Sequence, residues 1–322
     1  MNKKTSQSLG GLIGESPNFL NVLEIAEKIA SHKVPILIEG ERGAGKKWLA
    51  RSIHFASPRK TKEFIALDCA FDRETVLESE LFGYVRGSFA GAINHKKGLL
   101  ELADGGTVCF NEVSKLKPSL QLKLNSFLSE ESFYKLGGVS KIQVDVRVIA
   151  SCEENLSELV KEGLFREDLF YRISAIRLHL PPLRERGEDV ILLAHYFLKA
   201  LSKQYSLPLK RLGSRAEKLL LSYHWPGNIA ELEQEIRQAF FHSTSEELEP
   251  GSFSLTVTKS RKHALSSNSL KEQKRKLIEI LEKNAIVGAL KKTKGNRTKA
   301  ADILDVSRQE LIRKIAYHKI KN

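Results

Sequence analysis

Three glycines and a lysine within Gly40-Glu41-Arg42-Gly43-Ala44-Gly45-Lys46-Lys47 stand between an apolar run and a stretch of helical spacing. Glycines let the backbone wrap closely enough for its N–H groups to point at phosphate oxygens. A following helix N-terminus adds a favourable dipole, and a lysine at position 46 has the reach for terminal phosphates. Such loops usually continue with Ser or Thr, whose hydroxyl binds magnesium, but here Lys47 follows. A second segment, Gly105-Gly106-Thr107-Val108-Cys109-Phe110-Asn111-Glu112, has the form of an apolar strand ending in polar groups beside the phosphates. The metal-holding aspartate of that pattern is replaced by Asn111, whose amide oxygen carries no charge to hold a cation or offset phosphate repulsion. Glu112 keeps a carboxylate able to orient and activate a water. These residues predict a bound nucleotide, with the grip on Mg2+ and the hydrolysis that depends on it both called into question by Lys47 and Asn111.

The flanking patterns supply the elements that position these groups. Val34 to Ile38 reads as a strand, Trp48 to Phe55 as a helix, and further β-type runs lie at Phe64 to Leu67, Thr107 to Phe110, Val144 to Ala150 and Ala175 to Leu180. Strands alternating with helical segments predict a mostly parallel α/β sheet. After Pro181-Pro182 the β signals stop, and Val190 to Tyr205, Ser214 to Tyr223 and Asn228 to His242 read as helices of a small all-helical subdomain. Residues Glu249 to Asn268 are rich in Ser and Lys, contain Pro250-Gly251 and lack an apolar period, as a linker does.

Charge is unevenly placed along the 322 residues: of the net +13, +12 lies from Lys259 onward, where 18 Lys and Arg face 6 Asp and Glu. A basic end on a balanced protein calls for a polyanion, either nucleic acid or an anionic membrane surface. The pattern inside that end favours duplex DNA. Lys271 to Leu290 reads as a helix, and Gly295 to Ile315 reads as two short helices, with Ala300 and Ala301 small enough for close packing, Val306 in the turn and Ser307 as N-cap. Arg308, Gln309 and Arg313 are then directed outward, and the segment has no Trp or Phe face for insertion into lipid. A basic tail binding RNA or membrane is the distant alternative. Cys69, Cys109 and Cys152 lack disulfide or zinc spacing and read as buried small hydrophobes. With neither an apolar run of membrane length nor a secretory leader pattern, a cytoplasmic protein is expected.

The chain resembles the bacterial enhancer-binding proteins, the AAA+ activators of sigma-54 RNA polymerase. The resemblance is carried by Leu12-Ile13-Gly14-Glu15-Ser16, the phosphate loop, Glu78-Ser79-Glu80-Leu81-Phe82-Gly83, the run from Phe165 to Arg172, Leu183-Arg184-Glu185-Arg186 and Trp225-Pro226-Gly227-Asn228. It implies an AAA+ P-loop core of α/β class over residues 10–180, a helical lid over 181–248, a linker over 249–270 and an all-α Fis-type helix-turn-helix domain over 271–322. It also implies ATP bound by residues 40–47 with Ile13 and Gly14 near the base, Glu112 as the catalytic carboxylate, and Arg166 and Arg172 reaching into a neighbouring subunit. The loop that meets sigma-54 in that family corresponds to Gly87-Ser88-Phe89-Ala90-Gly91-Ala92, with Ala90 in place of a threonine. In the Fis-type domain the second helix enters the major groove. Gln309 is then placed to read a base edge, and Arg297, Thr298, Lys299 and Lys314 to hold phosphates of paired half-sites.

Against the family pattern, Lys47 stands at a commonly acidic position, Asp68 at an asparagine, Asn111 at the magnesium aspartate, Glu153 at the first sensor asparagine and Ala230 at the second sensor arginine. The resemblance, with these departures, predicts a DNA-binding regulator that binds ATP with weak or absent turnover. Such a regulator works as a homo-oligomer, in a mixed ring with a related activator, or through DNA occupancy alone. The alternative is a fully active ATPase that remodels the sigma-54 closed complex. No receiver segment precedes the ATPase-like part, so control is expected from a partner, from expression level or from the nucleotide.

Overall fold

The computed structural model describes residues 9–71, 73–254, 286, 288–290, 293, 296–304 and 306–317. The chain divides into two units, residues 1–259 and 260–322.

In the first unit the elements run α1 (Pro17–Ala30), β1 (Ile36–Glu39), α2 (Lys46–Phe55), β2 (Phe64–Asp68), α3 (Glu74–Phe82), β3 (Gly83–Tyr84), β4 (Lys96–Lys97), α4 (Leu99–Leu102), β5 (Thr107–Asn111), α5 (Pro118–Glu130), β6 (Ser132–Tyr134), β7 (Lys141–Gln143), β8 (Arg147–Cys152), α6 (Leu156–Lys161), α7 (Glu167–Ile173) and β9 (Ile176–His179). Five strands form one parallel sheet in the order β2-β5-β8-β1-β9. Ile36, Leu37 and Ile38 are all fully buried, as a central strand covered on both faces requires. Leu37, Phe110 and Ala150 enter the core on one face, and Ile36, Ile38, Cys109 and Ile149 enter the core on the other. The three cysteines are buried and unbridged.

Strand β8 starts at Arg147 rather than Val144 because the preceding amides are engaged elsewhere. Val144 N–H donates to the Glu131 carbonyl and Asp145 N–H to the Asp104 side chain. Arg147 itself is buried, and its guanidinium donates to the carbonyls of Ile29 and Ala30 at the end of α1. Two antiparallel hairpins that sequence periodicity misses project from the sheet unit: β3 with β4, enclosing residues 85–95, and β6 with β7.

The lid comprises α8 (Asp189–Tyr205), α9 (Ser214–Ser222) and α10 (Asn228–His242) around Trp225, Leu232, Ile236 and Phe240. It is not purely helical: β10 (Arg211–Leu212) and β11 (Glu247–Leu248) form a parallel pair. Two residues per strand are too few to show alternation, and the pairing follows from burying Leu212 and Leu248. Lid packing runs past Leu248, since Phe253 is buried and Ser254 donates to Glu235. Residues 255–270 of the expected linker, and residues 271–285 of the expected helix, lie outside the described residues.

In the second unit α11 (Arg297–Ile303) and α12 (Arg308–Tyr317) pack through Ala300, Ala301, Leu311 and Ile315, with Ile286, Ala289 and Leu290 in the same cluster.

Candidate functional site

The phosphate-loop candidate joins β1 to α2. Gly43 and Gly45 have φ of +77° and +107°, where glycine adds no steric cost. A Cβ on Gly43 would lie 2.2 Å from the Gly227 carbonyl oxygen, so the loop and lid approach too closely for a side chain there. Lys46 is buried, and its Nζ donates to the Gly40 carbonyl at 2.7 Å and the Glu41 carbonyl at 3.3 Å, while lying 3.3 Å from Glu112 Oε1. Ala44 is buried beneath the loop. The Glu41 carboxylate faces the lid: Arg184 grips it at 2.8 and 2.6 Å and Asn228 Nδ2 donates at 3.1 Å, which together hold its pKa down to about 2.

The strand ends close the far wall. Asn111 is 2 % exposed and points inward: Nδ2 donates to the Leu67 carbonyl at 3.3 Å, and Oδ1 accepts from the Ser151 hydroxyl at 3.3 Å. Glu112, in left-handed backbone at φ 53°, accepts the Glu153 N–H at 3.2 Å. Lys47 Nζ lies 3.9 Å from Asp68 Oδ2, so two of the unusual positions pair across the cleft. Arg42, Lys46, Lys47, Asp68, Asn111 and Glu112 share a cleft of 600 Å³ with Glu153 and Ala230.

An apolar cavity of 320 Å³ adjoins it, sharing Gly45, Trp48, Ile229 and Glu233, and lined by Ile13, Phe19, Leu180, Tyr196 and Phe197. The buried Arg186 shapes its edge, lying 3.8 Å over the Phe19 ring and donating to the Ile13 carbonyl and to Asp189. A Cβ on Gly14 would come within 2.5 Å of both Arg186 and Phe19. An apolar recess opening onto a glycine-lined, lysine-bearing cleft fits a nucleotide, base in the recess and phosphates in the cleft. The metal donor set fits poorly: an ammonium and an inward-turned amide stand where hydroxyl and carboxylate oxygens are needed. Among the described residues no group of three His, Cys, Asp or Glu is arranged to hold a metal.

Arg166 and Arg172 occupy one exposed face at α7. Arg166 is bidentate to Asp168 at 3.0 and 2.7 Å, Asp168 accepts from Asn125, and Asn125 accepts from Arg172 at 3.1 Å. Residues Gly87 to Ala92 form the tip of the first hairpin, with Gly87 N–H donating to the Ala92 carbonyl and Gly87 and Gly91 at positive φ. Phe89 is 45 % exposed, its ring 5.0 Å from Tyr84, and Ser88 packs beside Gly137 of the second hairpin.

In the second unit Asn296 Oδ1 accepts from the N–H groups of Thr298 and Lys299, and Ser307 Oγ accepts from Glu310 N–H, so each helix has a side-chain cap. Thr298, Lys299, Ser307, Arg308, Gln309 and Arg313 are exposed, and Arg297 and Lys314 half-buried, with Lys314 Nζ 3.9 Å from Glu310.

The sigma-54 interaction domain family matches residues 12–179, the AAA+ ATPase lid domain family residues 184–270, and the Fis family of bacterial regulatory proteins residues 277–317. The chain belongs to the sigma-54 activator family. It is 40 % identical to the nitrogen fixation protein AnfA of Azotobacter vinelandii across 93 % of this chain and 56 % of AnfA. It is 38 % identical to the regulatory protein AtoC of Escherichia coli across 97 % of this chain and 68 % of AtoC. The crystal structure of NtrX from Brucella abortus in complex with ATP superposes with a TM-score of 0.71 at 28 % identity, over 97 % of this chain and 70 % of that one. The α/β AAA+ core, lid and Fis-type domain expected from sequence are therefore those of this family.

Several working parts of the site had no local signal. The apolar recess draws on the N-terminal segment, α2, α8 and α10, and the Asn228 clasp joins the Leu183 N–H and the Arg42 carbonyl across 45 and 186 residues of sequence. Asn296, the cap of α11, was also missed, although an Asn before a helical run is a recognised start signal.

Proposed function

We propose that this sigma-54 activator is a DNA-binding transcription regulator that holds ATP in the cleft between sheet and lid and hydrolyses it weakly or not at all. The observation that carries the reading is Asn111, whose two polar ends are spent on Leu67 and Ser151 inside the protein. A divalent cation at such a site neutralises phosphate charge and helps align the leaving group, and here the residues to hold it are missing. Ala230 on α10 removes a cation from the lid side of the same cleft, and Glu153 adds a carboxylate. ATP as ligand is supported by the likeness to NtrX, whose structures hold ATP and ADP. In that role Gly40 to Lys46 cradle the phosphates and Ile13 and Gly14 border the base. Arg166 and Arg172 face a neighbouring subunit once released from Asp168 and Asn125. Residues 87–92 form the contact toward sigma-54, with Phe89 the apolar anchor.

Duplex DNA is bound by α12 in the major groove, Gln309 reading a base edge and the basic side chains holding phosphates. The chain acts as a homo-oligomer or in a mixed ring with a motif-intact relative, in the cytoplasm. Among the described residues no helix is long and apolar enough to cross a membrane. A second reading, a working ATPase that remodels the closed promoter complex, is favoured by the contact of Lys46 with Glu112. Phosphate release over a concentration range reaching assembly, with Glu112→Ala as blank, separates the two: release at blank level supports the first, and cooperative release above it supports the second.

A further inference from the structure

Resting on the nucleotide reading above, we propose that Lys47 supplies the positive charge that a divalent cation supplies at comparable sites, so that this protein binds a nucleoside triphosphate without divalent metal. Lys47 is the second residue of α2, beside Lys46, at the helix end where backbone N–H groups already favour an anion. The first turn of α2 contains no acidic residue, and two adjacent ammonium groups oppose the helix dipole there. That arrangement is unfavourable in the empty protein and becomes favourable when a polyanion arrives.

Its partner holds it loosely. The Lys47 to Asp68 contact is 3.9 Å long with side chains 67 % and 53 % exposed, so it contributes little and lets the lysine swing to a stronger anion. Asp68 does not depend on it, because its Oδ1 accepts the Ala70 N–H. Two of the other cations along the cleft are committed, Lys46 to Glu112 and Lys115 to the Glu154 carboxylate, while Arg42 lines the cleft from the loop ahead of the helix. Of the carboxylates lining the cleft, Glu112 is engaged by Lys46 and the Glu153 N–H, Asp68 accepts the Ala70 N–H of its own turn, and the Glu153 carboxylate stands at the rim. Asn111, at the strand-end position where a metal-holding aspartate is expected, turns its oxygen toward Ser151. A cation added to the loop and a carboxylate withdrawn from the strand end change the site's charge in the same direction, and together they offset the absence of one divalent cation.

The test is equilibrium dialysis of ATP against the full chain in EDTA and in excess magnesium, with far-UV circular dichroism and thermal melting to verify folding of every variant. Wild-type affinity is expected to agree within about threefold between the two buffers, and Lys47→Ala to lose at least about tenfold in EDTA, the effect of one lost charge contact. Lys47→Arg should retain EDTA binding, and Lys47→Ser with Asn111→Asp should make binding magnesium-dependent. Wild-type binding at least about tenfold weaker in EDTA than in magnesium overturns the proposal while leaving ATP as the ligand. Binding in neither buffer by folded protein overturns the proposal and the nucleotide reading together.

Discussion

The Lys46 ammonium lies 3.3 Å from Oε1 of Glu112 while donating to the Gly40 carbonyl at 2.7 Å. The lysine that meets phosphate in the proposed function is therefore shared between the loop it belongs to and the carboxylate opposite. An arriving phosphate competes with Glu112 for Lys46 and is repelled by the same carboxylate. Glu112→Gln is expected to tighten ATP binding by roughly tenfold, the worth of about 1.4 kcal/mol of relieved repulsion. Dialysis of ATP against wild type and variant reads this directly, and unchanged or weaker binding would count against the shared-lysine geometry.

Asn111→Asp has two opposed consequences. Without metal the carboxylate loses the donation to the Leu67 carbonyl and buries a charge at 2 % exposure, so thermal stability should fall by about 1–3 kcal/mol. Adding magnesium to ATP-saturated protein should recover part of that loss in the variant and leave the wild type at the melting temperature that ATP alone gives it. Melting curves in the two conditions check both halves.

Asn228 is fully buried at φ 55°, accepts the Leu183 N–H at 2.8 Å and donates to the Arg42 carbonyl at 2.9 Å. Asn228→Ala removes these bonds together with the donation to Glu41 and places alanine in left-handed backbone, a loss of about 2–4 kcal/mol. Urea unfolding should show it, and ATP affinity should fall alongside as the lid loosens from the phosphate loop.

Arg184 and Asn228 hold the Glu41 carboxyl at about 2, below its ordinary 4.5. A depressed carboxylate stabilises the fold above the unfolded-state value, and that contribution disappears as pH falls from about 4.5 toward about 2. Glu41→Gln is expected to be less stable near neutrality and to lose less stability across that acidic window. Melting temperature followed from neutral pH to pH 3 distinguishes it from wild type, and parallel curves would remove Glu41 from the acid response.

On DNA, Lys299→Ala and Arg313→Ala are expected to weaken binding evenly across sequences and each lower the salt slope by about 1. Gln309→Ala should cost about 1–3 kcal/mol on the preferred site and relax discrimination there. Titrations of specific and random duplex at several salt concentrations separate these outcomes.

The parallel sheet and the phosphate loop were legible because their signals are local. Val34 to Ile38 is apolar enough to be covered on both faces, and the glycines of residues 40–45 follow it directly. The helix-turn-helix was legible for the same reason, since Ala300, Ala301 and Ser307 each state their role within one turn of their neighbours. What sequence could not convey are relations across elements. Lys47 and Asp68 each read as a departure from the family, and only the sheet brings β2 beside α2 so that the two meet. The lid strands are likewise too short to carry a period.

The central claim, nucleotide held without effective turnover, is tested most directly by phosphate release from saturating ATP. The samples are the wild type, the Glu112→Ala blank and a chain carrying Asn111→Asp, Glu153→Asn and Ala230→Arg together, all at assembly concentrations. Wild-type release indistinguishable from the blank, with release regained in the triple variant, is the predicted result. Wild-type release above the blank that rises cooperatively with protein concentration would contradict it and establish a working ATPase.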